Sequence, residues 1–203
     1  MTGLSGCAAV AFAKVPLRGT VKTRLAAVRG EDFALRAYRE LLQQTASAVA
    51  SLPHHVAFTG DTLAGELRDF FPGALSFFPQ QGNTLGERQK GAFLRCLGLG
   101  HTAVCIIGCD CPTRTATEIA AAFDLLGRGC DAAIGPARDG GYYLIAGSVA
   151  AAGLFDVNGW GTSSLLRETL EQGQRLGLCC RLLRELSDID TAEDYSCWKE
   201  SVP

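Results

Sequence analysis

The 203-residue chain carries no run of basic residues and a formal charge of −2. It therefore lacks the cationic face with which a protein neutralises nucleic-acid phosphates, and no nucleic-acid partner is expected. No segment approaches the roughly 20 apolar residues of a membrane helix, so no membrane insertion is expected either. Nine cysteines are present, but no CxxC pair occurs and no histidine follows at zinc-finger spacing. A GxxxxGK[ST] phosphate loop, an internal repeat, a low-complexity segment and an interdomain linker are all missing. The three histidines, His54, His55 and His101, have no carboxylate near them in sequence, and no Ser-His-Asp or Cys-His arrangement is suggested.

What is present is an ordinary globular composition, 47% apolar and 20% charged. A chain of this length suits one well-buried domain, taken here as residues 1–203. "MTGLSGCAAVAFAKVP" has no basic n-region and reads as a first buried strand rather than a signal peptide. Most cysteines lie in apolar stretches, where a free thiol behaves as a small hydrophobe, so reduced thiols and a cytoplasmic location are expected.

Compact apolar runs at 7–13, 55–60, 74–79, 103–108 and 131–137 have the character of strands buried on both faces. Helical periodicity separates them. In 31–50, Ala34, Tyr38, Leu41, Leu42, Thr45 and Val49 share a face, and in 85–97 Leu85, Ala92, Phe93, Cys96 and Leu97 do the same. A capping box from Thr115 to Glu118 starts a helix over 115–127, and Thr162 and Ser163 are capping candidates for one over 163–176. The alternation predicts a three-layer α/β/α sandwich with a mostly parallel sheet. "GGYYLIAGS" (140–148) follows its predecessor without a crossover helix and predicts an antiparallel insertion, hence a mixed sheet.

Ligands bind such sheets beyond the carboxyl ends of the strands, which directs attention to a few loops. After the first strand, Lys14, Arg18, Lys22 and Arg24 gather in a loop containing Gly and Pro, the parts that hold a polyphosphate; the alternative is a solvated basic loop. "CIIGCDCP" (105–112) places Asp110 at the end of a strand, where its carboxylate could hold Mg2+ or Mn2+ or simply cap the following turn. A sulfur site at Cys109 and Cys111 needs two more soft ligands. Cys179-Cys180 is the one candidate, and adjacent strand residues face opposite ways. Asp139-Gly140-Gly141 reads as a tight turn, either bringing backbone close to a ligand beside Tyr142 or Tyr143 or forming an ordinary hairpin. In "SDIDTAEDY" (187–195), Asp188 and Asp190 precede a short helix for which Thr191 is a capping candidate; they could supply a second carboxylate, or the segment is an ordinary acid-rich helix start favoured by the helix dipole. Gln81, Asn83, Glu87, Arg88 and Trp160 either line an acceptor pocket or belong to helix caps with a packed aromatic, and spacing does not decide.

The ordered motifs "FAKVPLRGTVKTRL", "GNTLGERQKGAF", "IIGCDCP", "GPARDGGYYLI", "WGTSSLLRETL" and "DIDTAEDY" resemble a family of small bacterial proteins described as nucleotide-diphospho-sugar transferases of GT-A type. The resemblance implies a Rossmann-like GT-A fold and kinship with nucleotidyltransferases. It assigns Lys14, Gly19, Lys22 and Arg24 to nucleotide phosphates, and Asp110 and Asp190, with Asp188 less directly, to a metal. Two departures stand out: the glycine-rich "GxGxR" core is reduced to "LRGTVKTR", and the Asp-x-Asp motif is reduced to Cys109-Asp110-Cys111.

The sequence reading is thus a metal-dependent transferase taking a nucleotide or sugar nucleotide and a small acceptor. Lys22 and Asp110 are its catalytic residues; Lys14, Gly19, Lys22, Arg24, Gly140 and Gly141 bind the nucleotide; Asp110 and Asp190 hold Mg2+ or Mn2+. Glycosyl and nucleotidyl transfer share this apparatus and both stay open. The rivals are a nucleotide-binding domain without turnover and a thiol metal or redox protein.

Overall fold

The computed structural model describes residues 6–60 and 65–201, so the first five residues of the opening stretch lie outside it. Alternating small and branched residues build its centre. Along β1 (Cys7–Lys14), Ala9, Ala11 and Ala13 face one helical layer while Val10 and Phe12 face the other. This two-residue period places apolar groups on both faces, which is why the strand reads as a continuous apolar run.

After β1 come α1 (Thr23–Arg29), α2 (Glu31–Val49), β2 (His54–Thr59), α3 (Gly65–Phe70), β3 (Ser76–Pro79), α4 (Leu85–Gly98) and β4 (Ala103–Gly108). The second half adds α5 (Ala116–Gly127), β5 (Ala132–Pro136), β6 (Tyr142–Gly147), a 3-10 helix at Val149–Phe155, α6 (Leu165–Arg175), β7 (Cys180–Leu182) and α7 (Ala192–Ser201). The strands form one sheet in the order β3-β2-β1-β4-β6-β5-β7. β6 runs antiparallel to both β4 and β5, and the remaining pairs are parallel. The fold is therefore the expected single-domain, three-layer α/β/α arrangement with a mixed, mostly parallel sheet.

On one side, α2 and α5 cover Ala9, Ala11, Cys105 and Ile107; on the other, α4 and the 3-10 helix cover Val10, Val104, Ile106 and Ile145. All six residues assigned to the inner face of α2 are buried. The Thr115–Glu118 capping box is present, with both reciprocal bonds formed.

Other local expectations need correction. Leu85 sits in the first turn of α4 and is 43% exposed, because the helix buries Ala92, Phe93 and Cys96 instead. α6 begins at Leu165, and neither Thr162 nor Ser163 caps it. The Thr162 hydroxyl instead donates to the Gly159 carbonyl at 2.8 Å, closing the turn before the helix. The short elements α1, α3 and β7 carry too few residues for a periodic signal.

The histidines gather at the amino ends of the strands, away from the carboxyl ends. His55 Nδ1 pairs with Ser76 Oγ at 2.7 Å, and its Nε2 lies 2.9 Å from His101 Nε2.

Candidate functional site

At the carboxyl edge of the sheet lies a cleft of about 680 Å3. Its first wall comes from the loop after β1. Val21 and Leu25 are buried on either side of Lys22 and pin that loop to the core. Among the described residues, Lys22 alone is a non-glycine with positive φ (φ 47, ψ 49). A left-handed lysine costs on the order of 1 kcal/mol, and such strain persists only where the surroundings fix it. Here the surroundings draw the side chain inward until only 5% of it is exposed.

Three oxygens surround the Lys22 ammonium. Nζ stands 2.5 Å from Asp110 Oδ1, 2.5 Å from the Ile189 carbonyl and 3.3 Å from Asp190 Oδ1. Burial opposes the ammonium charge, but the attraction of Asp110 and then Asp190 outweighs it and raises the Lys22 pKa. Arg24, 78% exposed, reaches to 3.8 Å from Asp190 Oδ2. β4 delivers Asp110 to the rim, and the Ile189 N–H donates to the Asp110 carbonyl at 2.9 Å, tying the late segment to this turn. Asp190 is fixed from behind: its N–H and that of Thr191 both donate to Asp194 Oδ2, at 3.0 and 2.7 Å. Beneath the turn, Arg114 is 1% exposed and donates through Nη2 to Thr45 Oγ1 and the Gly108 carbonyl.

Asp188 contributes a second kind of group. Its Oδ1 is shut off from solvent and has no hydrogen-bond partner. Burial, then the neighbouring charges of Asp110 and Asp139, push its pKa up to about 7. An acidic centre with one orphaned oxygen is chemically suited to a hard cation, and Mg2+ ordinarily needs only one or two protein carboxylates beside substrate phosphates. As the site stands, no group of three or more His, Cys, Asp or Glu side chains among the described residues is arranged to hold a metal. The space between Asp110 and Asp190 is taken by Lys22.

Lys14, Lys22, Arg24, Asp110, Gly141 and Asp190 all line the cleft. Gly19, Gly140 and Arg18 are not among its lining residues. Arg18 turns outward to Glu31 and Asp32, at 3.2 and 2.8 Å, so the basic loop is divided between the site and the α2 N-terminus. Gly19 (φ +77) stands beside Glu31 in that outer turn. Gly140 (φ +88) packs against protein: a Cβ there would lie 2.1 Å from the Ser163 carbonyl oxygen, and its own carbonyl accepts from Leu166 N–H at 2.9 Å. The turn is kept by Asp139 Oδ1, which accepts from Gly141 N–H at 2.8 Å.

The sequence reading missed Gln80 and Tyr38. Gln80 Nε2 donates to the Ala13 and Ala57 carbonyls at 3.2 and 3.1 Å, joining the ends of β1 and β2. Tyr38 accepts from Lys14 N–H at 2.8 Å. Tyr38 carried a helical-face signal, which marked it only as core. Of the "QQGNTLGERQ" candidates, Arg88 lines the cleft, whereas Glu87 is used in the Thr84 capping box and also accepts from Asn83 N–H. Trp160 and Tyr142, both lining the cleft, meet edge to face with centroids 6.0 Å apart. Together they give this part of the cleft an aromatic wall.

The thiols of "CIIGCDCP" are packing groups. Cys109 and Cys111 are 3% and 1% exposed, and burial pushes their pKa values up to about 12 and about 11. Both stay protonated near neutral pH. Cys180 Sγ faces Gly173 of α6 while Cys179 is exposed, so the two do not converge.

The fold is a GT-A-type α/β fold. Within that class, the chain belongs to the DUF2064 family, described as an uncharacterized protein conserved in bacteria, whose family model matches residues 41–162. It is 32% identical to a "putative nucleotide-diphospho-sugar transferase" from Desulfovibrio desulfuricans G20, with a TM-score of 0.88 over 95% of this chain and 86% of the other. A cytidylyltransferase from Leptospira borgpetersenii shares the fold at 13% identity and a TM-score of 0.61, over 97% of this chain and 86% of that one. So does the 4-diphosphocytidyl-2C-methyl-D-erythritol synthase of Anaerococcus prevotii, at 13% identity and a TM-score of 0.61, over 96% and 95%. No curated protein matches the chain.

Proposed function

We propose that the protein is a divalent-cation-dependent transferase that takes a nucleotide or sugar nucleotide and passes a glycosyl or nucleotidyl group to a small acceptor. One observation carries this reading: Lys22 of the first loop, Asp110 at the end of β4 and Asp190 of a late segment meet within 3.3 Å. Three distant stretches thus converge on the edge where α/β sheets bind ligands. The names borne by the similar structures support the class.

In this reading Lys14, Lys22 and Arg24 take the phosphates, Gly141 presents backbone beside them, and the half-site of Tyr142 and Trp160 receives the less charged part of the donor or acceptor. Asp110 and Asp190 hold Mg2+ or Mn2+, with the orphaned oxygen of Asp188 close by. The cation supplies charge neutralisation on the phosphates when bound. Lys22 offsets negative charge that develops on the leaving pyrophosphate or nucleoside diphosphate, in a site where water is partly excluded. Among the described residues no helix is long and apolar enough to cross a membrane. Cys96, Cys105, Cys109 and Cys111 are buried free thiols, which suits the reducing cytoplasm.

Thermal-shift screening of nucleoside triphosphates and sugar nucleotides with Mn2+ tests the reading. Stabilisation of several degrees by at least one ligand is expected, and Asp110→Ala should abolish its Mn2+-dependent part. Pyrophosphate-release and sugar-transfer assays then separate the two chemistries. Binding without either product would establish the non-catalytic alternative, and no binding to any nucleotide would refute both.

A further inference from the structure

We propose that Lys22 is a built-in competitor for the divalent cation: its ammonium occupies the metal seat in the ligand-free protein, and a metal enters by displacing it. The inference rests on the reading of the cleft as a cation and phosphate site and adds an order to how that site fills.

The geometry argues for competition. An ammonium has three N–H donors. Lys22 directs them at three protein oxygens: Asp110 Oδ1, Asp190 Oδ1 and the Ile189 carbonyl. Two of these belong to the carboxylates assigned to the metal. A Mg2+ held by Asp110 Oδ1 and Asp190 Oδ1 together, at about 2.0–2.1 Å from each, would lie within the space the ammonium fills. Two cations cannot share it, since even at 4 Å unit charges repel by about 4 kcal/mol at an effective dielectric of 20. Arg24, the other cation near these carboxylates, stands outside at 3.8 Å from Asp190 Oδ2.

The rest of the site lets the ammonium leave. The strained left-handed backbone of Lys22 is fixed by its buried neighbours, while its four-carbon stem can swing the ammonium toward the cleft. Without a ligand that move breaks three contacts. A polyphosphate supplies replacement oxygens, so the ammonium can shift onto phosphate and free Asp110 and Asp190 together. Metal and polyphosphate thereby assist each other's binding, and by linkage the assistance is reciprocal.

Mn2+ alone, titrated into the whole protein and followed by the electron paramagnetic resonance of the free ion, tests the competition. Wild type should bind weakly and Lys22→Gln on the order of ten-fold more tightly, within the range of inter-site couplings. Asp110→Ala should lose binding in either background. Equal or weaker Mn2+ affinity in Lys22→Gln, with Asp110→Ala still defective, overturns the competition and leaves the cation site intact. No Mn2+ binding in any variant overturns the competition and the site reading together.

Acetylation of the wild type by acetic anhydride, mapped by peptide mass spectrometry, needs no variant to fold. Lys22 should be protected without metal, and saturating Mn2+ should raise its labelling relative to exposed Lys14. Unchanged protection refutes displacement.

Discussion

Gly140→Ala decides whether the Asp139-Gly140-Gly141 turn serves the protein's own backbone or a ligand. The new Cβ would lie 2.1 Å from Ser163 O and 2.7 Å from both the carbonyl carbon and Cα of Ser163. All three atoms belong to the same residue's backbone, so no side chain can rotate away. The turn or the 161–166 segment must shift. A methyl group at φ +88 adds strain of its own. Left-handed backbone costs about 1 kcal/mol for a residue with a Cβ, and overpacking adds about 1–3 kcal/mol, giving about 3 kcal/mol together. For a chain of this size that corresponds to roughly 6–12 °C in melting temperature. Gly129 provides the control, since it has φ +93 and nothing within 4 Å of the place an added methyl group would take. Gly129→Ala should therefore cost only about 1 kcal/mol. Urea denaturation of the two variants beside wild type measures the difference. If Gly140→Ala proves no more destabilising than Gly129→Ala, the close approach to Ser163 is not a structural constraint and the reasoning is wrong.

Two further outcomes are expected. His55 is 3% exposed, and its pKa is lowered to about 4 by burial and then by His101, with His54 and Arg95 adding to the effect. The unfolded chain thus takes up a proton near pH 6.5 that the folded one refuses until about 4, so stability falls as pH drops through this window, by up to about 3 kcal/mol. Denaturation curves at pH 7 and pH 4.5 should show a smaller loss in His55→Gln than in wild type, and equal losses would disprove the assignment. Cys109→Ser and Cys111→Ser should each cost about 1–3 kcal/mol by burying a hydroxyl. Mn2+-dependent nucleotide binding should survive in both, and its disappearance in a folded variant would return the sulfurs to the site.

Much of the candidate site was legible because strand ends are legible. The run Ala103–Gly108 stops at a defined point, and whatever follows a buried parallel strand must emerge at the ligand-binding edge; Asp110 does. Lys22 was found for the same reason, as part of the loop after β1. What local pattern could not separate was inward from outward. Arg18 and Lys22 are both cations of one loop, yet one pairs with the start of α2 and the other is buried beneath two aspartates. Gly140 and Gly141 look alike in sequence, but only one of them meets the Ser163 backbone. Gln80 gave no signal, because its importance lies in reaching the carbonyls of two strands distant in the chain.

The sequence by itself determined the layered α/β architecture, the antiparallel sixth strand and the edge at which the candidate site residues gather. Those follow from periodicity, run length and the rules of strand connection, which act locally along the chain. Only the tertiary structure decided that Lys22 fills the space between Asp110 and Asp190, that Asp188 Oδ1 is left without a partner, and that His55 faces His101. Each of these depends on where residues up to 168 positions apart come to rest. In a low-dielectric site, a contact of that kind sets charge and pKa more strongly than anything the neighbouring sequence encodes.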